Sequence, residues 1–368
     1  MNAPLPPGPP PRHEEKVSVE QLAAFTERID VRSPAEFAED HIPGAINLPV
    51  LDDAERAHVG TTYVQVGAFE ARRLGAAMVT RNIARIVETY ASNKPREWRP
   101  LVYCWRGGQR SRSLVHVLAE VGWRAAQLEG GYRAYRRDVV HRLPSLPGRF
   151  RYCVICGLTG SGKSRLIAAL HEAGAQVLDL ECMARHRGSL LGDLPDHAQP
   201  SQKAFESELV AAFDALDLAR IVFVESESKR IGKLQVPDGL LDVMRDALCV
   251  RLEAAAPLRV RHIVADYAHL IRDHDELARA LAPLKSLHGA KTLEHWCSLA
   301  ESDQHEALIA ELLEHHYDPI YSRSIERNFK RYGDLLEVSL TALSHDAFVA
   351  LAKEVIERVD VTLSAPCP

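Results

Sequence analysis

An apolar run, Tyr152 to Cys156, enters the glycine-bracketed segment Gly157-Leu158-Thr159-Gly160-Ser161-Gly162-Lys163-Ser164, and a helix with Leu166, Ile167 and Leu170 on its buried side follows. Strand, glycine loop and helix in that order commit the chain to a layered α/β fold. The N–H groups of such a loop wrap a diphosphate. Gly157, Thr159, Gly160, Ser161 and Gly162 are therefore expected to form the cradle, with Lys163 as a point charge and the Ser164 hydroxyl able to hold Mg²⁺. A later strand, Arg220 to Val224, ends in Glu225-Ser226-Glu227, which puts acids where a phosphate-bound metal or its water would be held. Lys229 and Arg230 follow and could touch a departing diphosphate.

About 50 residues before this loop, Leu101-Val102-Tyr103 leads into Cys104-Trp105-Arg106-Gly107-Gly108-Gln109-Arg110-Ser111. The pattern is a buried strand, a tight glycine turn, and a helix from about Arg110 to Val121. A sulfur at that point faces backbone N–H groups and the positive end of the helix, which favour thiolate over thiol. Arg106 and Arg110 add full charges, so Cys104, Arg106 and Arg110 are the expected catalytic group. Cys153 and Cys156 form a C-x-x-C, but residues three apart on a strand point to opposite faces and read as core. No His or Cys set has the spacing of a zinc site, so no resident metal is expected.

The 368 residues suffice for two domains. Seven cysteines at irregular spacing make a poor disulfide framework. No stretch reaches the ~18 to 20 apolar residues of a membrane span, and the N-terminus lacks a secretory leader, so a cytoplasmic protein with no membrane partner is expected. The net charge of −5 excludes a generally basic nucleic-acid binder, yet residues 1–148 carry +3 and the remainder −8. Arginines crowd residues 99–142 and would attract an anionic substrate.

Organisation follows the same cues. Residues 1–15 form a proline-rich tail expected to be disordered. Strand-like runs Arg28–Val31, Ala45–Leu48 and Pro100–Tyr103 alternate with helix-like Ala35–His41 and Glu70–Tyr90, implying a first doubly wound parallel sheet over 16–142. Leu143-Pro144-Ser145-Leu146-Pro147-Gly148 marks a linker over 143–150. A second α/β domain, 151–360, has strands expected at Tyr152–Cys156, Gln176–Leu180, Arg220–Val224 and Leu248–Leu252. From Pro257 on, the text reads as polar helices ending in a weakly structured tail.

Asp30-Val31-Arg32 with Glu36-Phe37, then His41-Ile42-Pro43-Gly44-Ala45-Ile46-Asn47-Leu48-Pro49, and finally Leu128-Glu129-Gly130-Gly131-Tyr132 resemble the signatures of the rhodanese domain. That resemblance implies that Cys104 carries sulfur or selenium as a persulfide or perselenide. The C-x5-R spacing of Cys104 and Arg110 also resembles the phosphatase relatives of that fold, although Tyr103 stands where they usually have histidine. With the phosphate loop, and with Leu178-Asp179-Leu180-Glu181, Arg185-His186-Arg187-Gly188-Ser189, Gln199-Pro200-Ser201-Gln202, Val224-Glu225-Ser226-Glu227-Ser228 and Tyr317-Asp318-Pro319-Ile320-Tyr321, nearly the whole chain resembles the tRNA 2-selenouridine synthase family. The resemblance implies an enzyme acting on tRNA at wobble 2-thiouridine. Geranyl diphosphate and selenophosphate would be its co-substrates, an S-geranyl group its intermediate, and a selenophosphate-supplying enzyme a candidate partner. The alternative is a sulfurtransferase rhodanese fused to an ATP-dependent kinase-like module.

Overall fold

In a computed structural model of the chain, residues 15–188, 192, 198–330 and 335–364 are described. The proline-rich tail expected over 1–15 lies outside them, apart from Glu15. The chain divides into two compact units, one of residues up to Arg142 with Glu206–Ala211, the other of the rest.

The first unit contains β1 (Glu15–Val17), β2 (Arg28–Asp30), α1 (Pro34–Glu39), β3 (Ala45–Asn47), α2 (Asp53–Gln65), α3 (Ala68–Thr89), β4 (Leu101–Tyr103), α4 (Gln109–Val121), β5 (Ala126–Leu128) and α5 (Gly131–Arg142). Its five strands are parallel in the order β1-β5-β4-β2-β3. Parallel pairing gathers the C-terminal ends of β2, β4 and β5 on one edge, where their loops meet. Ile29, Val102, Leu114, Val115 and Leu118, all fully buried, join α4 to the sheet. At the end of β2 the Asp30 carboxylate accepts from Arg32 Nε and Nη2 at 2.9 and 2.6 Å, with both side chains buried. Arg32 also donates to the Asp40 carbonyl and covers the Tyr132 ring at 4.0 Å. The Asp30-Val31-Arg32 signature is thus a buried brace for the strand ends. Ser33 caps α1 in a reciprocal box with Glu36, and Pro34 starts the helix.

The second unit carries β6 (Arg151–Cys156), α6 (Lys163–Glu172), β7 (Gln176–Leu178), α7 (Leu180–Ala184), α8 (Gln202–Ala215), β8 (Ile221–Glu225), a small hairpin of β9 (Arg230–Ile231) and β10 (Leu234–Gln235), α9 (Asp238–Arg245) and β11 (Leu248–Ala254). There follow α10 (Ala256–Asp266), α11 (Ala268–Ile271), α12 (His274–Leu281), α13 (Lys285–His288), α14 (Ala290–Glu301), α15 (His305–Leu312), α16 (Asp318–Asn328), β12 (Leu336–Leu340) and α17 (His345–Ser364). The main sheet is parallel in the order β12-β11-β6-β8-β7, so the phosphate loop leaves its central strand.

Several expectations change here. The strand expected over Gln176–Leu180 stops at Leu178, because Asp179 turns and caps α7 by accepting from Cys182 N at 2.8 Å. The segment expected to be a linker is packed. Leu143, Leu146 and Phe150 are buried, Phe150 stacks on Phe213, and the Tyr152 hydroxyl donates to the Pro147 carbonyl. The end of the chain is not weakly structured either. Phe348, Leu351, Ala352, Val355 and Val359 of α17 pack beside Leu166, Ile167 and Leu170 of α6, and β12 extends the sheet. The helices after β11, read as polar, enclose a core of their own around the fully buried Trp296. Cys153 joins the core beneath α6, while Cys156 faces Cys249 on the other side; both are free thiols.

Candidate active site

The Cys104 sulfur is 3 % exposed and accepts two hydrogen bonds, from the Gly108 N–H at 3.3 Å and the Ser111 hydroxyl at 3.2 Å. Ser111 is itself held by Gln127, whose side-chain amide donates to the Ser111 oxygen at 2.7 Å and to the Gly108 carbonyl at 3.1 Å. Backbone supports backbone around them. Tyr132 N–H donates to the Cys104 carbonyl and Arg133 N–H to the Trp105 carbonyl. Gly131, at φ +59°, lies so close that a Cβ there would fall 2.2 Å from the Cys104 carbonyl oxygen. The signature 128–132 is therefore the wall that shapes the thiol loop. Sequence reading named neither Ser111 nor Gln127 as functional, although a polar residue buried at the end of an apolar strand was the available signal.

The arginines are placed differently from expectation. Arg110 donates to Glu36 at 2.8 Å, and Arg106 is exposed. Neither guanidinium bonds the sulfur, because the capping carboxylate of α1 takes the Arg110 fork first. Elsewhere in the arginine-rich stretch Arg99 pairs with Glu15 and Arg142 with Asp138, so the local positive excess is smaller than a count within 99–142 suggests.

In the second unit the loop from Gly157 to Ser164 curls over the N-terminus of α6, with Gly160 and Gly162 at φ +77° and +93°. The Lys163 amine donates to the loop's own Gly157 carbonyl at 2.9 Å. The Ser161 hydroxyl is buried without a partner, an orphaned polar atom that fits a cradle for phosphate oxygens. Helix α10 braces the loop from outside. Arg259 Nε donates to the Thr159 carbonyl at 2.9 Å while its guanidinium pairs with Asp318, and His262 Nδ1 lies 2.9 Å from the Gly160 carbonyl oxygen.

A cleft of about 340 Å³ opens beside the loop, lined by Thr159, Gly160, Gly162, Lys163, Ser164 and, opposite, Glu181, Arg187, Glu227, His262, Tyr267 and Tyr321. The carboxylate that meets Ser164 is Glu181, at 2.5 Å, rather than the expected Glu225 or Glu227. Glu225 sits beneath the cleft, 1 % exposed, and accepts from the Glu181 N–H at 2.7 Å. Arg230, in the β9–β10 hairpin, is exposed and does not line the cleft. Four acids crowd this strand end. Burial, reinforced by the neighbouring carboxylates, pushes Glu225 well above the ordinary carboxyl range. Burial and then Glu181 push Glu227 up to about 8. Burial also raises Asp179 and Glu181, the latter against the opposing pull of Ser164 and Lys163. Among the described residues, no three His, Cys, Asp or Glu side chains form a group able to hold a metal ion unaided. Ser164 and Glu181 still fit an ion that takes most of its oxygens from water and phosphate.

Two family models match the chain: a rhodanese-like domain over residues 18–138 and the tRNA 2-selenouridine synthase AAA domain over residues 150–295. Three relatives bear the name tRNA 2-selenouridine synthase. The protein from Nitrosomonas europaea is 35 % identical over 73 % of this chain and 72 % of its own length. That from Chromohalobacter salexigens is 34 % identical over 82 % and 88 %, and that from Bdellovibrio bacteriovorus 31 % identical over 81 % and 89 %. With a thiol loop in its first unit, a phosphate loop in its second, and relatives that match across both, the chain belongs to the tRNA 2-selenouridine synthase family.

Proposed function

We propose that this protein replaces the sulfur of wobble 2-thiouridine in tRNA by selenium in two stages. In the first, the thiocarbonyl sulfur attacks C1 of geranyl diphosphate. The C–O bond breaks, diphosphate leaves with the electron pair, and the ring's N3 proton is released to solvent. Gly157 to Ser164 receive the departing diphosphate, Lys163 turning from its loop carbonyl to the phosphate oxygens. A Mg²⁺ ion held by Ser164 and Glu181 would neutralise part of the diphosphate charge. S-alkylation is what makes the second stage feasible, because it turns a poor sulfide leaving group into a thiol.

In the second stage selenium from selenophosphate, carried on the Cys104 sulfur, attacks C2 and geranyl thiol departs. Release of the nucleoside from the sulfur–selenium bond takes two electrons, supplied by external thiols. The observation that carries this reading is the Cys104 cradle. The N–H of Gly108 and the hydroxyl of Ser111 already point at the sulfur, and the same donors stabilise a terminal selenide. A selenophosphate-supplying enzyme is the natural partner, and the cytoplasm, where tRNA and free thiols coexist, the natural compartment. No helix among the described residues is long and apolar enough to cross a membrane.

The deciding experiment is mass spectrometry of the wobble nucleoside after thiolated tRNA is incubated with geranyl diphosphate and selenophosphate. Intact protein is expected to yield 2-selenouridine, with the S-geranyl nucleoside when selenophosphate is withheld. ATP hydrolysis that ignores tRNA, without alkylated nucleoside, would instead establish the kinase-like sulfurtransferase.

A further inference from the structure

Helix α10 separates two spaces of opposite character. On one side lies the polar cleft of the phosphate loop. On the other is a void of about 420 Å³ bounded by α10, α11, α12, α15 and the single π-helical turn Leu313–Tyr317. Thr159, Ile263 and Tyr267 belong to the walls of both. Beyond these three the walls are hydrocarbon and ring carbon, with Leu277, Ile309 and Leu312 nearly fully buried. The Tyr317 hydroxyl is buried there without a partner.

Protein interiors leave few voids larger than a water molecule, and an unfilled apolar one costs stability. A nucleobase would lose hydrogen bonds here that these walls cannot return. A hydrocarbon chain would lose only its contact with water. Ile263 ties the space to the loop. A Cβ on Gly160 would fall 2.7 Å from its Cδ1, so the chain-lined wall and the anion cradle are in direct contact.

We infer that this slot receives the hydrocarbon chain of a prenyl-sized diphosphate ester whose head lies on residues 157–164. The inference rests on the reading of that loop as a diphosphate site and adds where the tail goes. Tail and head are then bound by neighbouring turns of one helix, since Arg259 and His262 hold the loop carbonyls while Ile263 and Tyr267 border the slot.

The test is calorimetric binding of inorganic diphosphate, butyl, hexyl, octyl and decyl diphosphates, and ATP to the full chain. Affinity is expected to climb roughly three- to fourfold per methylene along the series until the slot is full. In Leu270→Phe and Ile309→Phe, which narrow the slot, that climb should flatten while inorganic diphosphate binds as before, which also reports correct folding. Tyr317→Phe preserves the shape and should preserve the climb. Octyl diphosphate binding the intact protein no better than inorganic diphosphate would overturn the proposal, as would an unchanged climb in both Phe variants. The two readings fail separately. Alkylation of tRNA by geranyl diphosphate with an unaltered chain-length profile in the narrowed variants sinks the slot alone. A steep chain-length profile without any alkylated nucleoside sinks the reaction alone.

Discussion

The thiol loop and the phosphate loop are both glycine turns between a parallel strand and a helix, and both are built around negative charge, but their polar groups are in opposite condition. Around Cys104 every named group has its match. The sulfur accepts from Gly108 and Ser111, Ser111 accepts from Gln127, Arg110 meets Glu36, and Asp30 meets Arg32. Around Lys163 the matches are makeshift or missing. The amine bonds a carbonyl of its own loop, the Ser161 hydroxyl has no partner, and four carboxyls crowd one strand end with their protons held tightly. The difference follows from where the anion comes from. The first loop holds an atom of the chain itself and can be satisfied by folding, whereas the second is shaped for a group brought by substrate. Folding therefore stores strain in the second loop that binding relieves.

The largest effects should separate the two loops by the stage at which the reaction stops. Cys104→Ala is expected to abolish selenouridine while S-geranyl nucleoside accumulates, both read by mass spectrometry of digested tRNA. Lys163→Ala should slow the first stage by about 10²- to 10³-fold, the usual loss of one preorganised charge aimed at a leaving group, and no alkylated intermediate should build up. Selenouridine formed at the normal rate by either variant would erase the proposed division of labour. On stability, Asp30→Ala leaves Arg32 charged and buried and should cost about 3–5 kcal/mol in a urea titration. A comparably large loss on Lys163→Ala would contradict the claim that only the first loop is internally matched.

How much of this was legible depended on whether the signal was local. The phosphate loop is one contiguous segment whose glycines, Lys163 and Ser164 act through the backbone beside them, so the sequence located it to the residue. The same holds for Cys104. Partnerships between distant residues were not legible. Nothing near Arg110 announces that Glu36, 74 positions earlier, takes its fork, and Glu181 displaces Glu225 at Ser164 only because β7 stops at Asp179. The β12 strand was available in the alternation of Leu336-Glu337-Val338-Ser339-Leu340, whose Val338 and Leu340 are buried. The apolar slot was not, because its walls come from four helices whose stripes each read as ordinary core.

Two smaller effects test the contrast from opposite directions. Ser111→Ala removes one hydrogen bond to the sulfur and strands the Gln127 amide. Its expected cost is about 1–1.5 kcal/mol, roughly tenfold in Cys104 alkylation by iodoacetamide; an unchanged rate would mean that the serine merely fills space.

Glu227→Gln should do the reverse and stabilise. Between the unfolded carboxyl value of about 4.3 and about 8, the folded protein keeps a proton that the unfolded chain has released. Stability therefore falls as pH rises through that window and levels off above it. The glutamine variant has no such proton to hold. Its melting temperature should decline less between pH 5 and 8, and at pH 8 it should exceed the parent by a margin on the order of 1 kcal/mol. Inorganic diphosphate should also bind it more tightly at pH 8, because one negative charge has left the cleft. A variant less stable than the parent at pH 8, with the slope intact, would show that Glu227 is a satisfied structural acid. The phosphate loop would then be matched like the thiol loop.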